Sequence, residues 1–247
     1  MSTVKHYKYQ ESGLFYPVRV ARRYLLKGVK CRCNVCGSNY ARFLPYGYVR
    51  RENALCPGCG SIESTRTLWF YLTNEVLGKK NKNKFLYCSP EKAILKRLEK
   101  YEIDLNTKEL VYFHTLGNKE LSSLQGGVYD VIIFSQLIQF VKDDIKVFHE
   151  LRRLLRPGGF VLIQTIINPK MDRTYEHIET PEDQDRLRNF FEPGVESIYG
   201  ANFYKHLTKA GFSVETIDYA DQLGDEARKY YSLGDGQREL IFKCKKP

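Results

Sequence analysis

From residue 85 onward, short apolar runs alternate with segments whose apolar residues recur at helical spacing. Phe85–Cys88 reads as a strand and Glu91–Lys100 as a helix. A short strand near Tyr101–Leu105 is followed by another at Leu110–His114. Strand Val131–Phe134, helix Asp143–Leu155, the turn Arg156-Pro157-Gly158-Gly159 and strand Phe160–Ile167 come next. Helix Phe203–Ala210 stops at Gly211, strand Phe212–Asp218 follows, and Leu240–Cys244 is a last strand. Residues 219–238 read as a loop with a short helix. Continuous apolar strands alternating with amphipathic helices predict an α/β fold: a Rossmann-like, doubly wound, mainly parallel sheet covered on both faces. In such sheets a nucleotide-type ligand sits at the carboxyl ends of the strands, near the reversal in strand order.

The first 62 residues follow a different pattern. They hold five of the seven cysteines, Cys31, Cys33, Cys36, Cys56 and Cys59. Cys33 and Cys36 form one Cys-x-x-Cys turn, and Cys56 and Cys59 form a second. Each turn is followed by a glycine, Gly37 or Gly60. Two such turns direct four thiolates at one ion, which predicts a structural Zn²⁺ bound by Cys33, Cys36, Cys56 and Cys59 with no open position. The aromatic and β-prone stretch Tyr40–Val49 would form the hairpin of a zinc ribbon. Cys31, spaced i, i+2 from Cys33, reads as a bystander. The expected organisation is therefore a basic zinc-ribbon segment, 1–62, and an α/β domain, 63–247. A helix through Leu68, Leu72 and Val76, stopping at Gly78, would join them.

Charge sharpens that division. The chain of 247 residues carries a net charge of +10. Residues 1–60 hold 11 Lys/Arg against 2 Asp/Glu, whereas the remainder holds 28 against 27. A basic module on a neutral body has two readings, a solvated surface or a site for nucleic acid or another polyanion. Mean hydropathy of -0.44 fits a soluble protein. No apolar run approaches the ~20 residues of a membrane span. The first residues lack the apolar core of a secretory signal, so the expected compartment is the cytoplasm.

The run YDVIIFSQLIQFVKDDIKVFHELRRLLRPGGFVLIQ, residues 129–164, resembles class I S-adenosylmethionine-dependent methyltransferases. Tyr129-Asp130, Asp143-Asp144 and Leu155-Arg156-Pro157-Gly158-Gly159 match their pattern in order and spacing. A narrower likeness, to bacterial methyltransferases with an N-terminal zinc ribbon, covers almost the whole chain. It rests on Cys56 to Ser61, on Glu63, Arg66 and Leu68-Trp69-Phe70-Tyr71-Leu72, and on Ser89-Pro90-Glu91 where those proteins have Ala-Pro-Glu. It rests also on Thr174-Tyr175-Glu176, Tyr199-Gly200 and Ala210-Gly211-Phe212. The resemblance implies S-adenosylmethionine as cofactor and methyl transfer to an oxygen or nitrogen of a small molecule or sugar. Three departures stand out, one of them Asn118 where those proteins often have an Asp near the adenine. Gly194-Val195-Glu196-Ser197 replaces an Asp-His-Val-Arg stretch, and Gln139 and Phe140 replace a Glu-His pair. Either the acceptor differs from that of the usual relatives, or activity is weakened and the basic ribbon serves polyanion binding.

Within that frame, Ser89, Pro90 and Glu91 would form the cofactor turn. Ser89 reads as the helix cap, and Glu91 as facing the methionine amino group or merely completing the cap. Asp104 is a candidate for the ribose hydroxyls, or an ordinary turn residue. Asn118 and Gln136 are candidates for the adenine side, or surface-loop residues. His177, Glu176, Tyr175 and Tyr199 are candidates for a general base, or packing residues of the substrate loop. A nucleophilic thiol is not expected, because Cys88 lies in an apolar strand.

Overall fold

The computed structural model describes residues 16–47, 49–78, 83–101, 103–108, 117–176, 195–236 and 238–247. The N-terminal part comprises helix α1 (Tyr16–Leu25) and strands β1 (Lys27–Arg32), β2 (Asn39–Tyr40), β3 (Leu44–Tyr46) and β4 (Arg51–Leu55). β1 pairs with β2 and β3 with β4, both antiparallel. One Cys-x-x-Cys turn therefore lies inside a hairpin of its own and the other follows β4. The expected single hairpin over Tyr40–Val49 is replaced by β3 turning back onto β4.

Helix α2 (Glu63–Tyr71) follows and runs into a wider π turn at Leu72–Val76. The main domain then contains β5 (Lys84–Cys88), α3 (Lys92–Leu98), β6 (Asp104–Lys108), α4 (Gly117–Ser122), β7 (Tyr129–Ser135), α5 (Asp144–Leu154) and β8 (Leu155–Gln164). Short strands β9 (Ile167–Asn168), β10 (Tyr175–Glu176) and β11 (Ser197–Gly200) follow, then α6 (Phe203–Lys209) and β12 (Ser213–Ile217). Helices α7 (Tyr219–Gln222) and α8 (Asp225–Tyr231) lead to β13 (Ile241–Lys245).

The central sheet has the order β12-β13-β8-β7-β5-β6. β6, β5, β7 and β8 are parallel, while β13 is antiparallel to both β8 and β12. This is the Rossmann-like sheet expected from the alternating pattern. The chain steps outward from β5 to β6 and then crosses back to lay β7 on the other side of β5. The switch point therefore lies between the carboxyl ends of β5 and β7.

Alternation along the strands divides the core between the two faces. Leu86, Cys88, Ile132, Phe134, Val161 and Ile163 point to the α5 and α6 side, with Phe148 and Phe203. Phe85, Tyr87, Val131, Ile133 and Leu162 point the other way, toward α2 and α3. That second cluster continues through Leu68 and Leu72 into Cys33, Tyr40, Phe43 and Cys56 of the ribbon. The ribbon thus shares its core with the sheet.

The sequence motifs prove to be structural fasteners. Asp130 accepts a hydrogen bond from the Lys84 amide (2.7 Å) and pairs with Arg156, tying the starts of β5 and β7 to the Pro-Gly-Gly turn. Asp143 caps α5 by accepting from the Lys146 amide (3.1 Å). Asp144 pairs with His206 (3.2 Å) on α6.

Four expected elements change. β8 begins at Leu155 rather than Phe160, with the Pro157-Gly158-Gly159 stretch as a bulge in its pairing with β7, and residues 219–238 carry two short helices rather than one. Two further elements move. The second parallel strand spans Asp104–Lys108 rather than Tyr101–Leu105. Tyr101 and Ile103 supply the apolar alternation but pack onto the core before the sheet begins. Their backbone is turned, with the Ile103 amide on the Tyr101 carbonyl (2.9 Å). The cap of α3 moves as well: helical geometry begins at Lys92 and the cap is Glu91, not Ser89. The expected strand at Leu110–His114 lies outside the described residues.

Candidate metal centre and cofactor edge

The two cysteine turns are near copies of each other. The Gly37 amide donates to the Cys33 carbonyl (2.7 Å), and the Gly60 amide to that of Cys56 (3.0 Å). The Cys33 amide donates to Ser38 (3.0 Å), and the Cys56 amide to Ser61 (2.9 Å). Gly37 and Gly60 have φ of 77° and 76°, a left-handed conformation that a side chain would strain. This geometry aims four sulfurs at one point: the Sγ atoms of Cys33, Cys36, Cys56 and Cys59 all lie within 4.8 Å of one another. Cys33–Cys59 and Cys36–Cys56 are separated by 3.6 and 3.8 Å. A tetrahedral Zn²⁺ with bonds of ~2.3 Å places its sulfurs ~3.8 Å apart, so the donor set fits that ion. The buried Ser61 hydroxyl reaches both Cys33 Sγ (3.2 Å) and Cys59 Sγ (3.3 Å). Cys31 stands outside the group, with its thiol on the Tyr40 carbonyl (3.4 Å).

Arg66, fully buried on α2, joins this centre to the body. Its guanidinium donates to the carbonyls of Ser61 (2.7 Å), Tyr231 (2.9 Å) and Ser232 (2.6 Å), and lies 4.6 Å from the centre of the Phe43 ring. Burial pulls its pKa down, while the nearby thiols and Glu63, when ionised, hold it up. Sequence reading gave Arg66 a place in a helix and in the family likeness but no contacts; Tyr231 and Ser232 lie some 165 residues away and leave no local signal.

At the sheet's carboxyl edge, the two strands flanking the switch point both end in a left-handed, non-glycine residue, Ser89 (φ 45°) and Gln136 (φ 54°). Such conformations cost free energy and concentrate at functional sites. Glu91 follows Ser89, and its carboxylate accepts from the Tyr87 hydroxyl. Burial pushes the Glu91 carboxyl up to about 7. Among the described residues no cation is paired with it.

At the carboxyl ends of β7 and β8 lies a buried polar layer that sequence reading missed. Gln164 accepts from Ser135 (3.0 Å) and donates to the carbonyls of Glu239 (3.2 Å) and Ser64 (3.4 Å). Thr165 donates to Gln139 (3.0 Å). Glu239 accepts from the amides of Gly236 and Arg238, and burial together with Glu63 and Asp235 pushes its carboxyl up to about 7.

The predicted site residues separate against this frame. Ser89, Pro90 and Glu91 gather at the carboxyl end of β5. Gln136 lies at the end of β7, but its amide is committed to the Arg238 carbonyl (2.8 Å). Asn118 lies in α4. Asp104 corrects the reading: it is the first residue of β6, opposite Lys84, the first of β5, and hence at the amino edge. Its shift follows from the strand starting later than its apolar pattern suggests. Tyr199 is a second correction. Its ring is fully buried and packs on Phe203, and its hydroxyl reaches the Ile138 carbonyl and Asp144 (3.3 Å each). It is a core residue rather than a base open to an acceptor. Tyr175 and Glu176 form β10, which pairs with β11. His177 lies outside the described residues. Cys88 is buried and its thiol is pushed up to about 12, which removes it as a nucleophile.

Residues 75–217 match the family described as "Methyltransferase domain", more than half of the chain, and the protein belongs to that family. Solved structures similar to it include a SAM-dependent methyltransferase from Archaeoglobus fulgidus, with 11% identity, TM-score 0.49, and 75% of this chain and 95% of that one covered. Another is a putative methyltransferase from Bacillus halodurans, with 13% identity, TM-score 0.45, and 73% and 98% covered. A third is the complex of the Haloferax volcanii Trm112 methyltransferase activator with a putative methyltransferase, with 13% identity, TM-score 0.43, and 72% and 88% covered. No curated protein matches the chain. No helix among the described residues is long and apolar enough to cross a membrane.

Proposed function

We propose that this protein is a class I methyltransferase of the bacterial zinc-ribbon type, using S-adenosylmethionine to methylate an oxygen or nitrogen of a small molecule or sugar. The observation that carries the cofactor is Glu91. A half-buried carboxyl raised to about 7, with no cationic partner among the described residues, is suited to a ligand that brings its own positive charge. S-adenosylmethionine has an ammonium and a sulfonium, and supplies the electrophilic methyl. Glu91 would hold the ammonium, and the Ser89–Pro90 turn would shape the backbone around it. With Asp104 opposite Lys84 at the amino edge, it is not the residue that would meet the ribose. Tyr175, Glu176 and His177 remain the acceptor-side candidates. Catalysis would come mainly from proximity and orientation, with at most one base.

Residues 1–62 form the ribbon and 63–247 the methyltransferase domain in this reading. Zn²⁺ would be held by Cys33, Cys36, Cys56 and Cys59, closed to substrate and purely structural. Retention of such thiolates fits a cytoplasmic setting. Calorimetric titration with S-adenosylmethionine tests the cofactor, and atomic emission on the purified protein tests the metal. Binding that is lost in Glu91→Ala, and one zinc per chain, are expected. Binding unchanged in Glu91→Ala would remove the residue on which the reading rests.

A further inference from the structure

An open cleft of about 460 Å³ lies where the first cysteine turn meets the far end of α3. It is lined by residues 34–37, Trp69, Arg97, Lys100 and Tyr101. This is not the cofactor edge. α3 leaves the carboxyl end of β5 and carries the chain back to the amino end of β6, so Arg97, Lys100 and Tyr101 sit at the opposite rim of the sheet.

Three features of the cleft converge. Arg97 is half-buried and Lys100 exposed, and neither has an anionic partner among the described residues. Tyr101 is half-buried, with its ring meeting Trp69 edge-on at 6.1 Å. Close by in the chain, Lys96 is exposed one turn before Lys100 and Arg32 is exposed just before the first cysteine turn. A groove that pairs unneutralised cations with an aromatic face is the arrangement by which proteins hold single-stranded nucleic acid: cations track the phosphates and bases stack on the ring. The cleft has room for about one nucleotide.

The geometry points to a single-stranded polynucleotide as the ligand of this cleft, with phosphates on Arg97 and Lys100 and a base against Tyr101. The site uses none of the residues placed at the cofactor edge, so it stands or falls apart from the methyltransferase reading.

Trp69 is the single tryptophan of the chain and lines the cleft, so its fluorescence reports occupancy. The probe is a mixed-sequence single-stranded oligonucleotide, titrated at several salt concentrations, with the matching duplex and heparin in parallel. The oligonucleotide is expected to quench Trp69 and to bind with a log–log salt slope of about −1.4 or steeper, the value for two phosphate contacts. Arg97→Glu/Lys100→Glu should weaken binding more than tenfold, with zinc content and circular dichroism unchanged. Tyr101→Ala should weaken it at least about fivefold, the lower end for one stacked base. Absence of quenching overturns the proposal. So does binding unaffected by the charge reversal, or a duplex or heparin that binds as tightly as the single strand and is equally indifferent to Tyr101→Ala.

Discussion

Replacing Arg66 with methionine probes the joint between ribbon and body. The substitution keeps most of the aliphatic volume and deletes every donor. Three carbonyl oxygens, those of Ser61, Tyr231 and Ser232, lose the guanidinium that satisfies them. A buried acceptor left unpaired costs about 1–3 kcal/mol, so three cost up to about 9 kcal/mol. Against this, the variant no longer carries the expense of burying a cation, which recovers several kcal/mol. The expected net loss is about 3–5 kcal/mol, read by urea denaturation in excess zinc. Hydrogen exchange should locate it: amides of α8 and of residues 61–66 lose protection while those of β7 and β8 keep theirs. Arg66→Lys keeps the charge but cannot span the three carbonyls, and should fall between. A loss below about 1 kcal/mol for Arg66→Met would refute the view that this guanidinium fastens the ribbon.

The Glu91 carboxyl sets a pH dependence for cofactor binding. Its folded pKa, raised from 4.5 to about 7, leaves it mostly protonated at pH 6, whereas a cationic ligand selects the ionised form. Affinity for S-adenosylmethionine should climb up to about tenfold per unit between pH 5.5 and 7, with proton release, and level off above; Glu91→Gln should flatten the profile in calorimetry. Ser61→Ala removes the hydroxyl shared by Cys33 and Cys59, and should weaken zinc about tenfold or more in a chelator competition. Asp104→Asn should leave cofactor affinity unchanged in the same titration, and a clear loss of affinity would reverse its assignment to the amino edge.

What could be read from the sequence was what is local. The cysteine turns are five-residue units whose spacing, with Gly37 and Gly60, dictates their own geometry, so the four-sulfur group followed directly. The inner strands β5, β7 and β8 carry apolar runs buried on both faces, and their order of appearance with helices between them fixed the fold class. The misplaced elements had misleading local signals. Tyr101, Ile103 and Leu105 alternate like a strand, yet the first two are core packing ahead of it. Ser89-Pro90-Glu91 looks like an ordinary helix start, and nothing in the residue types announces that Ser89 adopts a left-handed backbone. Tyr199 looked like an accessible acid–base group because the partners of its hydroxyl, Ile138 and Asp144, are brought to it only by folding. The same holds for Arg66 with Tyr231 and Ser232, and for Gln164 with Ser64 and Glu239. Each joins parts of the chain at least 75 residues apart.

The central claim is that the carboxyl edge of β5 and β7 holds S-adenosylmethionine through Glu91. Isothermal titration of the zinc-loaded protein with S-adenosylmethionine, beside Glu91→Ala, tests it most directly. The parent should give a saturable, one-to-one heat that the variant loses while keeping its fold. No heat from the parent at millimolar ligand, or equal binding by both proteins, would contradict it.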